Sequence, residues 1–262
     1  MSNSKTEYKY FTLNVQPDGI AIFAANRPEA KNTMNLACWE EFEQFLLWAK
    51  DNDEIRIIIV TGQGEDTFIA GADIKEFMNI PPVGVLFIKA TNVVRLLATI
   101  PKPTIAAVNG AAFGGGFEVA LACDIRIIAN EAVLGLPETS LGVVPALGGT
   151  QRLCKMIGSG RAREIVMAGR ILKGDETAQM GLALKNVGAK EVLDEALKTA
   201  SRMLTRGPMA SALVKRLINT AYSTDDETGL LMENLSFAVM LGSEEMKEGT
   251  SAFTEKRKPR FK

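Results

Sequence analysis

Three short runs rich in isoleucine, valine and alanine, Ile55–Val60, Thr104–Val108 and Ile125–Ala129, constrain the fold more than any other feature of the chain. None shows the strict polar–apolar alternation of a strand with one wet face, so the first two read as strands buried on both sides and the third as a further strand. Thr61-Gly62 and Lys102-Pro103 supply the breaks expected at element ends. Between the strands lie segments with helical spacing. After Asn35, the positions Leu36, Trp39, Phe42, Phe45, Leu46 and Ala49 recur on one helix face. Val83–Thr99 reads as a second helix, and about Phe117–Cys123 as a third. Upstream, Tyr10–Val15 and Ile20–Ala24 flank Pro17-Asp18-Gly19, the pattern of a hairpin. From Gly148 onward the pattern turns mostly helical, near 148–157, 159–168, 174–182, 190–206, 208–222 and 226–241. The β–α units thus fill the first two thirds and helices the end, with no low-complexity linker between them. A chain of 262 residues is ample for a sizeable core, as one large domain or two small ones.

Charge and composition exclude several function classes. Lys and Arg number 30 against 31 Asp and Glu, a net charge of -1, which gives no general attraction to a phosphate backbone. Cys38, Cys123 and Cys154 form no CxxC pair and leave an odd thiol, as expected of unpaired cysteines in a reducing compartment. Met1–Val15 lacks the continuous apolar stretch of a secretory signal, and no arginine precedes Arg27, as a transit peptide would require. Pro103–Phe117 is too short and glycine-rich to span a bilayer. These features together lead to the expectation of a soluble cytoplasmic protein. The chain contains no histidine, which removes Ser-His-Asp and Cys-His nucleophile activation and every imidazole-dependent metal site. Acid–base chemistry must then fall to Asp, Glu, Lys, Tyr or Cys.

Four local signals point to a site. Ile69-Ala70-Gly71-Ala72-Asp73-Ile74-Lys75-Glu76 follows a strand and a polar loop, and its small residues allow close approach to backbone N–H groups. An ordinary helix start capped by Asp73 explains it equally well when it is taken alone. Ala112-Phe113-Gly114-Gly115-Gly116-Phe117-Glu118 places three glycines between a buried strand and an apolar helix. That is wasteful in entropy unless the backbone turns sharply or is approached closely; no Gly-Lys-Ser/Thr follows, so it is not a P-loop. Glu118 is the single charge among Phe117, Val119, Ala120, Leu121 and Ala122, and burying it without purpose would cost several kcal/mol. Glu138, in Leu136-Pro137-Glu138-Thr139, is again a carboxylate among apolar and small residues, here on a loop, where a surface acid or a helix cap contributed with Thr139 also explains it when it is taken alone. Two donor loops and two poorly solvated carboxylates are the parts needed to polarise a carbonyl and move protons beside it.

In the order in which they occur, these segments resemble the enoyl-CoA hydratase/isomerase (crotonase) superfamily, most closely its enoyl-CoA hydratases. The resemblance runs from Asn26-Arg27-Pro28 through Ala70–Glu76, Pro103–Gly110, Gly114–Glu118, Cys123-Asp124 and Pro137-Glu138 to Gly148–Leu153 and Ser251–Arg257. It implies an α/β fold: a crotonase-type spiral of ββα turns over residues 1–200, carrying the coenzyme A and catalytic sites. A C-terminal helical trimerisation region would follow over 201–262, giving a homotrimer or a dimer of trimers. It further implies an acyl-CoA thioester substrate and no separate cofactor or metal, coenzyme A being part of the substrate. The family's oxyanion-hole amides match Ala72 and Gly115, and its catalytic glutamates match Glu118 and Glu138. Its coenzyme A and substrate contacts match Ala70, Ala72, Asp73, Ile74, Lys75, Gly115, Ala146 and Lys256, the last a tail lysine that can reach the coenzyme A of its own or of an adjacent subunit. The implied reaction is reversible hydration of a 2-enoyl-CoA to a 3-hydroxyacyl-CoA.

Two positions depart from close hydratases. Ala146 stands where glycine is usual, and Leu147 where a smaller residue is common; both bear on the acyl group more than on the reaction. The rival readings are a Δ3-Δ2 enoyl-CoA isomerase, a hydratase of cyclic or specialised acyl groups, a non-catalytic scaffold, and an RNA-binding member of the superfamily. The last would draw on the basic tail Lys256, Arg257, Lys258, Arg260 and Lys262. Neither nucleic acid nor membrane is the expected partner.

Overall fold

The computed structural model describes residues 7–77 and 85–261. Two sheets run through it. β1 (Phe11–Val15) and β2 (Ile20–Ala25) form the expected hairpin, antiparallel, with Phe11 opposite Ala25 and Val15 opposite Ala21. α1 (Leu36–Asp51) follows, capped by the Asn35 side chain, which accepts from the Cys38 N–H at 2.8 Å. Its stripe of Trp39, Phe42, Phe45, Leu46 and Ala49 is buried as its spacing predicts, and Phe45 stacks on Phe23 with ring centroids 4.0 Å apart.

From β3 (Ile57–Gly62) onward the chain repeats one move. A strand enters the large sheet, and a second short strand enters a smaller one. β3 is followed by β4 (Thr67–Ile69), α2 (Ile74–Phe77) and α3 (Val85–Thr99). β5 (Thr104–Val108) is followed by β6 (Ala111–Phe113) and α4 (Gly115–Ala122), and β7 (Ile125–Ala129) by β8 (Val133–Gly135). β3, β5 and β7 lie side by side and parallel in the large sheet, while β4, β6 and β8 do the same in the small one. This stepwise advance is the ββα spiral. It explains why the strand runs lack alternation: β2, β3 and β5 are buried at every position.

The structure corrects several boundaries. Ile55 lies in a turn, its N–H donating to Asn52 O, and β3 runs through Thr61 and Gly62 because the Asn109 side chain accepts from the Gly62 N–H at 3.2 Å. The expected helix at about Phe117–Cys123 begins earlier, at Gly115. The start of the expected Val83–Thr99 helix, Val83 and Gly84, lies outside the described residues.

After α5 (Gly149–Ile157) and α6 (Ser159–Met167), the helix expected near 174–182 is absent. In its place β9 (Leu172–Lys173) closes the small sheet beside β8, and a single 3-10 turn follows at Gly174–Glu176. β10 (Lys185–Val187) then adds a parallel edge strand next to β7. Asn186 holds this stretch extended, its amide donating to Gly174 O at 2.7 Å and its carbonyl accepting from the Ala178 N–H at 3.0 Å. α7 (Val192–Met203), α8 (Pro208–Thr220) and α9 (Asp226–Met240) match the expected helices, and an unexpected α10 (Glu244–Thr254) precedes the tail.

All three cysteines are unpaired, and burial pushes the Cys123 thiol up to about 12, which makes it inert. Among the described residues no helix is long and apolar enough to cross a membrane.

Candidate active site

Glu118 and Gly115 share the first turns of α4, and this helix sits where it does because Gly116 has no side chain. A Cβ at Gly116 would collide with the Ile69 carbonyl oxygen of β4. Gly114, the N-cap, has φ 51°, a conformation that glycine adopts at little cost, and it turns the chain from β6 directly into α4. As the first helical residue, Gly115 has no carbonyl of the helix behind it to accept its N–H.

The second donor loop comes alongside. Met34 bridges Ala72: its N–H donates to Gly71 O at 2.8 Å and its carbonyl accepts from the Asp73 N–H at 3.0 Å. In such a bridge the middle residue's own N–H points away from the pairing strand. A Cβ built on Gly114 would lie 4.0 Å from the Gly71 Cα and 3.1 Å from Glu138 Oε1. The loop before Ala72, the turn before Gly115 and the Glu138 carboxylate therefore meet at one place.

Glu118 is buried, at 1% exposure, inside an almost wholly apolar helix. Its Oε1 accepts from the Leu147 N–H at 2.8 Å and the Gly149 N–H at 2.7 Å. Burial pushes its carboxyl up to about 7, against the pull of those two amides and of Arg152, with nearby Glu138 adding to the rise. Glu138 opens the 3-10 turn Glu138–Leu141. Burial raises its carboxyl above the usual range, and its Oε2 is the buried side-chain oxygen without a hydrogen-bond partner among the described residues. A half-buried carboxyl with a raised pKa and an unsatisfied, buried oxygen is suited to hold and release a proton.

The remaining predicted contacts divide. Ala70 and Ala72 lie on the loop itself, and Ile74 beside it is 58% exposed. Asp73 is already engaged: its Oδ2 pairs with Arg27 at 3.3 Å, and its Oδ1 accepts from the Lys75 N–H at 3.3 Å, so the helix-cap reading also holds. Ala146 sits on the loop that grips Glu118, its carbonyl accepting from Thr91 Oγ1 of α3 at 3.4 Å. Lys256 is not brought to this place within one chain. It follows α10, exposed, with its N–H on Phe253 O. The tail beside it is pinned elsewhere, Arg257 pairing with Glu248 at 2.7 Å and with Glu255 at 2.6 Å.

Arg27 and Gly149 enter the sequence reading only as parts of resembling motifs, with no role attached, and the amides of Leu147 and Gly149 are not singled out there. The structure shows why residue 149 is glycine: a Cβ there would come within 2.9 Å of Glu118 Oε1. Among the described residues no group of three or more His, Cys, Asp or Glu side chains is placed to hold a metal ion.

Comparison with known proteins identifies the family to which this fold belongs. Residues 16–262 match the enoyl-CoA hydratase/isomerase family. The short-chain-enoyl-CoA hydratase of Clostridium acetobutylicum is 38% identical over 241 residues, 91% of this chain and 92% of that protein. The mitochondrial methylglutaconyl-CoA hydratase of Mus musculus is 36% identical over 269 residues, covering 100% of this chain and 86% of that one. The crystal structure of an enoyl-CoA hydratase from Bacillus anthracis superposes with a TM-score of 0.93 at 35% identity, over 97% of this chain and 99% of that one. With its spiral of ββα turns and this match over nearly its whole length, the chain belongs to the enoyl-CoA hydratase/isomerase family.

Proposed function

We propose that the protein adds water reversibly across the double bond of a 2-enoyl-CoA thioester, giving a 3-hydroxyacyl-CoA. The observation that carries this reading is the pair of carboxylates, Glu118 fully buried and Glu138 half-buried with an unpartnered, buried Oε2, the latter beside the turn before Gly115 and the loop before Ala72. In the mechanism we infer, the N–H groups of Ala72 and Gly115 bind the thioester oxygen and stabilise the negative charge that builds there. One such donor is worth about 2.7–4 kcal/mol of barrier. Glu118, its Oε1 held by two amides, uses its other oxygen to orient a water and takes its proton as the C–O bond forms at the β-carbon. Glu138 gives a proton to the α-carbon. The two carboxyls then hold the same single proton in exchanged places, and transfer through solvent resets them. The isomerase reading draws no comparable support, since it leaves the amide-held Glu118 without a task. The RNA-binding reading draws less support from the basic tail, in which Arg257 is tied to two glutamates.

The test is hydration of crotonyl-CoA, followed at the absorbance of the conjugated thioester, with a 3-enoyl-CoA as the isomerase control. Because Glu118 titrates at about 7 in the free protein and acts as the base, kcat/KM should fall as pH drops below about 7. A flat profile from pH 5 to 8, or isomerisation without hydration, would sink the proposal.

Leu147 bears on the acyl group. Its Cδ1 would lie 3.2 Å from a Cβ on Gly115, with Trp39 Cζ2 at 3.8 Å, so these side chains wall the space beside the carbonyl-binding turn. This favours a short acyl chain. Leu147→Ala keeps the backbone N–H and should raise kcat/KM for a ten-carbon enoyl-CoA relative to crotonyl-CoA about tenfold or more. An unchanged ratio would refute the assignment.

We further propose that residues 201–262 form a trimerisation region. α9 exposes Leu230, Leu231, Leu235, Phe237 and Val239 at 58–67%, more apolar surface than a lone helix leaves in water. Sedimentation should give a mass of three or six chains, and a monomer would refute it.

A further inference from the structure

We propose that Arg152 is a positioning residue for this site: its guanidinium clamps the loop that delivers the Leu147 and Gly149 amides to Glu118. The inference rests on the catalytic reading of Glu118 given above.

Arg152 lies in the second turn of α5, its N–H on Gly148 O at 2.9 Å, and its side chain folds back past the helix start so that Nη1 donates to Leu147 O at 2.7 Å. Residue 147 is thus held at both ends of its peptide frame, by Glu118 at its N–H and by Arg152 at its carbonyl. Gly148 makes this possible. It adopts φ 101°, and a Cβ there would run into Arg152 Nη1.

The placement runs against ordinary helix electrostatics. The start of a helix carries partial positive charge and favours anions, so a guanidinium folded against it is the wrong sign. Burial also costs a guanidinium: it lowers the Arg152 pKa, and the charge of Glu118 is what opposes that fall. A cation kept at such a place in spite of both effects is there for its partners. The charged and titratable groups that bear on Glu118 are Glu138 from the 3-10 turn and Arg152 from α5, while Arg152 itself faces Glu118 and Cys123.

Arg152 therefore does two things for Glu118. It fixes the two amides that take up Oε1, and it counters the burial that pushes the carboxyl up. Its loss releases the loop and removes the cation, and both changes make Glu118 harder to ionise.

The test compares Arg152→Gln and Arg152→Lys with the unaltered protein. In Arg152→Gln, the Glu118 carboxyl, followed by carbon NMR of labelled glutamate in the free protein, should titrate about one unit or more higher. The acid limb of kcat/KM should move with it, and kcat should fall roughly 10- to 100-fold with little change in KM. Arg152→Lys keeps the charge without the planar fork and should restore part of the titration midpoint. A folded Arg152→Gln whose Glu118 titrates as in the unaltered protein overturns the proposal, whatever its activity. If neither variant folds, the guanidinium nitrogen resonances of Arg152 in the unaltered protein decide. They should shift with the midpoint of Glu118, and indifference to it overturns the proposal. The carboxyl titration needs no substrate, so a protein that hydrates no enoyl-CoA defeats the proposed function while leaving the role of Arg152 separately measurable.

Discussion

Replacing Glu118 by Gln should lower kcat for hydration by roughly 10²- to 10⁴-fold, the range for losing a positioned general base, with KM little changed. Gln is the informative substitution because its carbonyl oxygen can still accept from Leu147 and Gly149, so the loop keeps its place while the base is lost. The same variant should be more stable than the parent above neutral pH. The ordinary value of a glutamate carboxyl is 4.5 and that of Glu118 in the fold is about 7, so between these values the folded chain binds the proton more tightly than the unfolded chain. The parent's stability is therefore fullest below about pH 4.5 and is lost as pH rises through about 7. The cost of holding the ion is on the order of 3 kcal/mol at pH 8, from about 1.4 kcal/mol per unit. Gln never ionises and escapes that cost. Urea unfolding at pH 8 should show the variant more stable, and at pH 4.5 the two should converge. Equal midpoints at pH 8 would mean that Glu118 is better solvated than its burial implies. The gain in stability on losing the catalytic group is what a site that stores an unfavourable charge should give.

Lys215→Met should destabilise the fold by about 2 kcal/mol, seen as a fall in Tm of roughly 4–8 °C. Lys215 of α8 reaches back to the start of β7, where its Nζ pairs with Asp124 at 2.9 Å and donates to Lys102 O at 3.0 Å. Asp124 in turn accepts from the Thr104 N–H at 2.8 Å and from Thr104 Oγ1 at 3.0 Å. One carboxylate thus joins β5, the end of α4 and a C-terminal helix. Methionine keeps most of the apolar stem, so the loss reports the charge. The figure sits below the range for fully buried pairs because the Asp124 side chain keeps 24% exposure and water takes up part of the released charge. An unchanged Tm would show that α8 is docked by its apolar contacts alone.

The sequence made the centre of this molecule legible and its edges less so. Strands buried on both faces announce themselves by composition, and Ile57–Val60, Thr104–Val108 and Ile125–Ala129 needed nothing further. Glu118 was legible for a related reason, as one charge in a run where every other residue is apolar or small. Glu138 was weak alone, because a loop acid is ordinary until its burial is known. β9 and β10, two and three residues long, have no period to detect, and they exist because Asn186 and Gly174 satisfy the backbone around them. The hold on Glu118 was hidden for a different reason. It is made by main-chain amides 29 and 31 residues away, and neither Leu147 nor Gly149 has a side chain that advertises it.

A crystal structure of the protein with butyryl-CoA, a saturated thioester that cannot be hydrated, tests the central claim most directly. The thioester oxygen should lie about 2.7–3.1 Å from both the Ala72 and Gly115 nitrogens. The carboxylates of Glu118 and Glu138 should flank the α- and β-carbons on one face. A thioester oxygen bound away from either amide, or an acyl chain with the two carboxylates on opposite sides, would contradict the account.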